Sequence, residues 1–426
     1  MNAETAWDEA MKFENRPNPY PYFKELRNTP VARVADKTYV VTGYPELLAL
    51  AHDPRISSDI SRSPADFGVE KPGLKPGSEH MQAYGREPSI IVSDPPDHDR
   101  ARRQVLRHFG PPHSPALIPS MEPLVVQLAN DLLDKVKARG SGRSESRFDV
   151  VADFAYPIPV AAICKILGVP VDDEPRFHAW IFDFMMGTDL GPEGATEEGR
   201  ALAEKGRAGT AALLDYLGEL VRRYATTPAE GLLSKVLHDG GPDGPMSIKE
   251  ATSNAMLLLV AGHDSTVNTI TNCVMTLLRN PGAWDTLRGR PELIPRAIEE
   301  VQRLQSAVQF FPSRSATADI AIGGTVIPAG SAVYLIYAAA NRDPRRFDDP
   351  DRFDLLREGN EHFGWGSGIH TCLGGPLARL EVNLALEIFL RRVESPQLVV
   401  DPPPYRHSQI FRGPRHLWVD CAAITD

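Results

Sequence analysis

The sequence predicts a mainly α-helical protein with small β elements (α+β), on three observations. Apolar residues recur at helical spacing through the middle of the chain. A capping-box pattern at Ser247-Ile-Lys-Glu250 opens one segment that runs to Asn280, where Pro281 stops it. Short alternating stretches bounded by turn residues lie towards the two ends.

In chain order, Val31 to Val34 and Tyr39 to Thr42 read as a hairpin turning across Ala35-Asp36-Lys37. Pro45 to His52 reads as a helix. Residues 55–92, rich in Pro, Gly and Ser, read as a long irregular loop, a length that is uncommon and often functional. Helices are predicted over Pro115 to Lys137, Val151 to Leu167, Glu174 to Met186 and Glu197 to Tyr224. The segment opened by Ser247 would be about 33 residues, roughly 50 Å, and would cross the molecule. Ile320 to Ile322, Val326 to Ile327 and Ala332 to Tyr337, broken by Gly-Gly and Pro-Ala-Gly, read as short strands. Pro376 to Val393 is a final helix after a Gly-rich loop.

With 426 residues and 42% hydrophobic content, the chain can bury a large core. Length alone would suggest two or three domains at roughly 150 residues each. No linker divides it, because the polar stretch Ala138 to Arg147 reads as a loop between helices, so residues 1–426 are expected to form a single domain. A net charge of −10 and the lack of a long basic run argue against nucleic acid. The polar, acidic start MNAETAWDEAMKFENRP reads as neither a signal peptide nor a membrane anchor, and the apolar stretch Ala255 to Gly262 is too short to span a bilayer. A cytoplasmic protein with no membrane contact is expected. Of four cysteines, Cys164, Cys273 and Cys421 stand apart from one another and read as small apolar residues rather than metal or disulfide partners.

The fourth sits in Phe363-Gly-Trp-Gly-Ser-Gly-Ile-His-Thr-Cys-Leu-Gly374. Gly364, Gly366 and Gly368 open backbone shapes closed to other residues and let a flat ligand approach. Cys372 lies just before a helix, whose free N–H groups and partial positive charge are expected to favour thiolate. A lone cysteine in a Gly-rich turn is more often inert, but the whole spacing reverses that reading. It resembles the ligand loop of the cytochrome P-450 family, F-G-x-G-x-H-x-C-x-G, through Gly366, Gly368, His370, Cys372 and Gly374. The resemblance implies haem b (iron protoporphyrin IX) with Cys372 as the axial iron ligand, and a fold in which one long central helix crosses the haem. Trp365 stands where the family usually has Phe; it is expected to shield the thiolate and alter the iron's potential.

Inside the long helix, Ala261-Gly-His-Asp-Ser-Thr266 sets a glycine and a polar cluster against helix propensity. It resembles the family's A-G-x-[DE]-T-T oxygen-activation segment. Asp264 fits the acid that gathers protons; Ser265 takes the place of the usual Thr, and Thr266 follows. Serine keeps the hydroxyl but is freer at χ1 than β-branched threonine, so a less ordered proton route is expected. His263 reads as a core or pocket-edge residue.

Haem propionates are anions and need cations or donors. Asp94-Pro-Pro-Asp-His-Asp-Arg-Ala-Arg102 resembles the family's D-P-P-x-H-x-x-x-R, which implies that His98 and Arg102 serve one side; Arg314 and His370 match the other contacts. Glu300 and Arg303 match the structural E-x-x-R, with Arg352 or Arg357 as third member and Arg352 preferred for its P-x-R-F context. The resemblance spans about Asn18 to Leu417.

It implies insertion of one oxygen atom from O2 into a small apolar substrate. Electrons would come from NAD(P)H through a ferredoxin or flavodoxin with its reductase, since no flavin- or nicotinamide-binding motif follows. Arg103, Arg107 and Arg379 would flank the face that meets such an acidic partner. By family position, substrate contacts are expected from the loop Pro88 to Val92 (Ile90, Ile91), the helix with Phe182 to Met186 (Met185), Val308 to Phe311 (Phe310, Phe311) and the turn Ile410–Phe411. Two alternatives stay open: a haem-thiolate enzyme that uses peroxide or couples and rearranges substrates, and a haem or ligand carrier without catalysis.

Overall fold

The computed structural model describes residues 1–59, 62, 87–140, 146–188, 194 and 196–426. Most of the long loop expected within 55–92, and residues 141–145 of the polar stretch, lie outside them. The helices among the described residues are α1 Ala3–Met11, α2 Tyr20–Leu26, α3 Tyr44–Ala51, α4 Asp97–Phe109, α5 Glu122–Gly140, α6 Pro157–Leu167 and α7 Glu174–Thr188. There follow α8 Glu197–Thr226, α9 Leu232–His238, α10 Ile248–Arg279, α11 Pro281–Gly289, α12 Ile294–Leu304, α13 Tyr337–Ala340 and α14 Gly375–Arg392.

Helix α10 is the axis. Its capping box forms as expected: the Ser247 side chain takes the Glu250 N–H, and the Glu250 carboxylate takes the Ser247 N–H. Its 32 residues span about 48 Å. From His263 onward almost every side chain is buried, on all faces, as a helix through the middle of a core must be. Gly262 belongs to that packing: a Cβ there would meet Ile163 of α6 at 2.8 Å.

Two helix starts differ from expectation. The helix predicted from Pro115 begins at Glu122, after a 3-10 turn at Pro119–Met121. The helix predicted from Val151 opens as a π-helical turn, Val151–Ala155, and becomes α-helical at Pro157, whose missing N–H interrupts the ladder.

Strands from residues 31–57 and from 311–335 meet in one main sheet, and the others form small separate sheets. Strands β1 Val31–Ala35 and β2 Thr38–Val41 form the expected hairpin. Beyond them lie β3 Ile56–Ser57, β4 Ser146–Asp149, β5 Phe311–Ala316, β6 Ile320–Ile322, β7 Thr325–Ile327 and β8 Ala332–Leu335. The main sheet has the order β1-β2-β8-β5-β3, with β2 and β8 parallel and the other pairs antiparallel. A hydrophobic cluster lies on each side of it: Val31, Val41, Leu335 and Phe363 in one, Phe23, Val40 and Ile336 in the other.

The segment between α13 and α14 has little regular structure and is tied down by one buried ion cluster. Glu300 and Arg303 on α12 are 1% and 0% exposed, and Arg303 donates to both Glu300 oxygens at 2.8 Å. Arg303 also donates to the carbonyls of Asn341 (2.9 Å) and Pro350 (2.7 Å). The third member is Arg357, not Arg352. Arg357 is 7% exposed and donates to Glu300 at 3.1 Å. Arg352 is 63% exposed and pairs with Asp354; only its carbonyl reaches the cluster. The chain turns at Asp349, where φ is +44°, and sends the Arg352 side chain into solvent.

This arrangement separates the two arginines experimentally. Arg357→Ala strips a buried carboxylate of a partner and is expected to cost about 3–5 kcal/mol. Arg352→Ala is expected to stay within about 0.5 kcal/mol. Urea unfolding of both variants checks the pair; equal losses would restore Arg352 to the cluster.

Candidate functional site

Cys372 is presented by a loop with little freedom. Its N–H bonds to the Trp365 carbonyl at 2.8 Å, and the Phe363 N–H bonds to the Asn341 side chain at 2.7 Å. Gly368 has φ +68°, and a Cβ there would fall 2.1 Å from the Ala51 carbonyl oxygen, so that position admits glycine alone. Arg102 donates to the Thr371 carbonyl at 2.7 Å. The backbone N–H groups of Gly374 and Gly375, at the mouth of α14, point to the Cys372 sulfur, and Arg102 and Arg379 lie within reach of its charge. Burial nevertheless wins and pushes the thiol above its usual range, against the expectation of a thiolate from the helix terminus alone. What exposure the residue has is into the adjoining cavity. A bound metal cation deprotonates a coordinating thiol outright, and supplies the charge the polypeptide lacks.

Trp365 is fixed by a cluster that sequence reading missed. Its indole N–H donates to Glu299 at 2.9 Å, and the Arg379 guanidinium sits 4.4 Å over the ring. Glu299 also accepts from Arg379 (2.7 Å) and His362 (3.1 Å). Burial works against that carboxylate, but the bonds from His362, Arg379 and Trp365 outweigh it and hold its pKa down at about 2.

The loop forms one wall of a cavity with about 1430 Å³ of atom-free space, its mouth included. The facing wall is α10, through Ala261, Gly262, Ser265, Thr266 and Thr269. The Ser265 hydroxyl donates to the Ala261 carbonyl at 2.9 Å. Asp264 is buried but lies off the wall, in an ion pair with Arg406 from the C-terminal turn. His263 is likewise buried behind the helix, as a core residue.

The donors expected for carboxylates gather at one edge. Arg314, Arg102 and His370 line the cavity. Arg314 is buried beside the Tyr337 hydroxyl, with its guanidinium 5.3 Å from the Phe311 ring centre. His370 contacts the Ser58 hydroxyl through Nε2 at 2.7 Å, while its Nδ1 has no partner. Burial, with Arg314, His98 and Arg102 nearby, pushes the His370 pKa down to about 2. His98 stands behind it, rings 4.6 Å apart, with Nδ1 on Asp99 at 2.8 Å and Nε2 without a partner. Asp94 holds the Ser57–Ser58 turn that positions His370, taking the Ser58 N–H at 2.7 Å and the Ser57 hydroxyl. A buried guanidinium on Arg314, a half-buried one on Arg102 and two imidazole nitrogens left unpaired form an edge rich in donors. The cavity thus fits a flat group with carboxylates at one rim and a metal over Cys372; Gly366, Gly374 and Ala261 line the same space.

Of the expected substrate contacts, Ile90, Ile91, Phe311 and Phe411 line the cavity. Phe310, Ile410 and Met185 do not. Phe310 points the opposite way from Phe311, as neighbours in extended chain must, and packs on Trp7 and Tyr334 with ring centres 5.9 Å away. Ile410 turns towards the cluster around α1 and α2, while Phe411 pairs with Val308 across an antiparallel bridge. Met185 packs within the helical core of α6, α7 and α8. The surface arginines are already engaged: Arg103 with Asp243 at 2.8 Å, Arg107 with Asp239 at 3.2 Å, Arg379 with Glu299. Cys164, Cys273 and Cys421 are buried and free, with thiols pushed up by burial.

Among the unforeseen wall residues, one is acidic. Glu381 on α14 is fully buried, its Oε1 has no partner, and burial raises its pKa to about 8.

Comparison with known proteins agrees with this geometry. A cytochrome P-450 family profile matches residues 226–417. Cytochrome P-450 107B1 of Saccharopolyspora erythraea is 34% identical over 421 residues, 96% of this chain and 95% of that protein. The 6-deoxyerythronolide B hydroxylase of the same organism is 34% identical over 405 residues, 93% of this chain and 95% of that one. The crystal structure of CYP164A2 of Mycobacterium smegmatis superposes with a TM-score of 0.84 at 32% identity, covering 98% of this chain and 99% of that one.

Two outcomes follow from the electrostatics. Glu381 stays protonated in the folded protein while the unfolded chain ionises, so the unfolded state binds fewer protons between about pH 4.5 and 8 and stability falls as pH rises through that window. Glu381→Gln is therefore expected to raise stability at pH 7 by on the order of 1–3 kcal/mol, with the gain gone below about pH 4. Thermal unfolding against pH reads this; a gain independent of pH would mean the carboxyl is not the cause. Arg314→Met removes one buried donor to a charged group, worth about 1.5–3 kcal/mol, and should weaken haem retention by about 10- to 100-fold in a transfer assay.

Proposed function

The chain belongs to the cytochrome P-450 family, and from that premise we propose that Cys372 is the axial thiolate of its haem and that Asp264, Ser265 and Thr266 supply protons on the opposite side. The enzyme is a haem-thiolate monooxygenase that inserts one atom of O2 into a small organic substrate. Its cofactor is haem b, and its reducing equivalents originate in NAD(P)H and arrive through redox partners. When bound, haem b supplies dioxygen activation, with thiolate ligation favouring O–O cleavage.

The observation that carries the site assignment is the opposition of two walls across one cavity: Cys372 on one, the Ala261–Thr269 stretch of α10 on the other. Arg102, Arg314 and His370 would hold the haem carboxylates, with the His98 ring packed behind His370. Asp264 takes up protons; the Ser265 and Thr266 hydroxyls at the wall receive them and pass them on. Ser265 spends its donor on Ala261 but keeps lone pairs to accept with. The apolar wall made by Ile90, Ile91, Phe311 and Phe411 excludes water and favours an apolar substrate held by few polar contacts.

We assign the electron donor to the ferredoxin or flavodoxin class, fed by its reductase. Because Arg103, Arg107 and Arg379 are each paired with an acid, the face beside the loop offers mixed charge, and steering by it should be weak. No described helix is long and apolar enough to cross a membrane. We place the chain in the cytoplasm, working as one haem domain.

Cys372→His is expected to abolish the red-shifted carbonyl spectrum of thiolate ligation; survival of that spectrum would overturn the ligand assignment. Asp264→Asn is expected to slow product formation on the order of 100-fold while spectral binding of substrate is unchanged. Unaltered turnover would remove Asp264 from the mechanism.

A further inference from the structure

Asp264 has no wall position of its own, which raises the question of where its protons come from. On the side of α10 away from the cavity lies a row of titratable groups that the reaction has not yet used. Glu174 and His178, on the first turns of α7, have side chains 25% and 47% exposed. Both contact the Tyr156 hydroxyl, which is half-buried at the start of α6. The Tyr156 ring stands edge-on to the His178 ring at 4.8 Å and to the His263 ring at 4.9 Å. His263 is 2% exposed, and its Nδ1 has no partner in the protein. Its chain neighbour is Asp264, held in the ion pair with Arg406.

We propose that Glu174, His178, Tyr156 and His263 form a proton-supply row from the surface to Asp264. This rests on the role given to Asp264 above. The chemistry of each member suits it. His178 has solvent access and a ring nitrogen on the Tyr156 hydroxyl. Burial drives the Tyr156 phenol far up, with Glu174 adding to it, so it never rests as an anion and can only pass a proton while receiving another. Burial lowers the His263 pKa to about 4, opposed by Asp264 and assisted by His178 and Arg406. It therefore rests neutral, with one ring nitrogen to accept and the other to donate.

The transfer balances. One proton leaves water at the His178–Glu174 end. Tyr156, whose hydroxyl is bonded to Glu174 and His178, passes its hydroxyl proton to His263 across a bridging water and is reprotonated from His178. His263 takes that proton on one nitrogen and releases the proton of the other to the Asp264 carboxylate, directly or across one water. One proton has moved to Asp264 and no electron moves; His263 is left as its other tautomer, and its ring must reorient before the next transfer. Neutralising Asp264 also weakens its hold on Arg406.

Tyr156, His178 and His263 act through Asp264 and are positioning residues, so the test must read proton movement. Tyr156→Phe keeps the ring packing and removes the hydroxyl; His263→Phe keeps the bulk. In the carbonyl-bound holoenzyme, which is diamagnetic, exchange of the His263 ring proton with deuterated water is followed by histidine NMR. Tyr156→Phe should slow that exchange at least tenfold; exchange at the unaltered rate overturns the proposal. In turnover with a ferredoxin and its reductase, both variants should lower the ratio of product to NAD(P)H consumed and raise the solvent isotope effect, with spectral substrate binding unchanged. If Asp264→Asn is impaired while both variants match the parent, the row is wrong and Asp264 stands. If all three match the parent, the row and the role of Asp264 fall together.

Discussion

A carboxylate with no water around it must have its charge met by protein, and Glu300 is where this molecule does so. Arg303, Arg357, the Asp354 N–H and the Asn360 amide all turn inward to it. Arg303, satisfied there, also grips the carbonyls of Asn341 and Pro350. The Asn341 side chain in turn takes the Phe363 N–H at the entry of the cysteine loop. The place of Cys372 is thus inherited from an ion cluster several residues away. Such a cluster adds little net stability over an apolar substitute, but losing one member leaves a buried charge unpaired. What it contributes is a single geometry for a stretch of chain with almost no helix or strand.

The cavity above that loop is electrostatically incomplete as polypeptide. Its rim has cations and two imidazole nitrogens without a partner; its floor has a thiol that burial pushes up. A dianionic porphyrin rim and an iron cation reverse both deficits at once. Binding and folding are therefore linked, because a ligand that binds only the folded chain stabilises it in proportion to its occupancy.

What the sequence discloses is what is local. The capping box at Ser247, the glycine pattern before Cys372 and the hairpin over residues 31–42 each rest on neighbours within a few positions, and each forms. The donor segments at 98–102, 314 and 370 were legible because each carries its own short pattern. The failures need three dimensions. Phe310 and Phe311 are equivalent in composition, and only strand parity sends one into the core and the other to the cavity. Arg352 has the better local context, yet a turn at Asp349 hands the role to Arg357. The partners of Trp365 and Asp264, Glu299 and Arg406, lie 66 and 142 positions distant, and nothing in a linear pattern links them. Glu381 reads as an ordinary helical acid until its burial is seen.

The C-terminal turn joins two tasks that are usually thought of separately. Phe411 presents a face to whatever occupies the cavity, while Arg406, five residues earlier, grips the acid on α10; His407 between them is stacked on Phe13 at 3.5 Å. Evolution cannot reshape this turn for a new molecule without also disturbing the timing of oxygen chemistry. Selection for altered scope at position 411 would carry a catalytic side effect, and compensating changes would be expected to accumulate near Phe13, far from either.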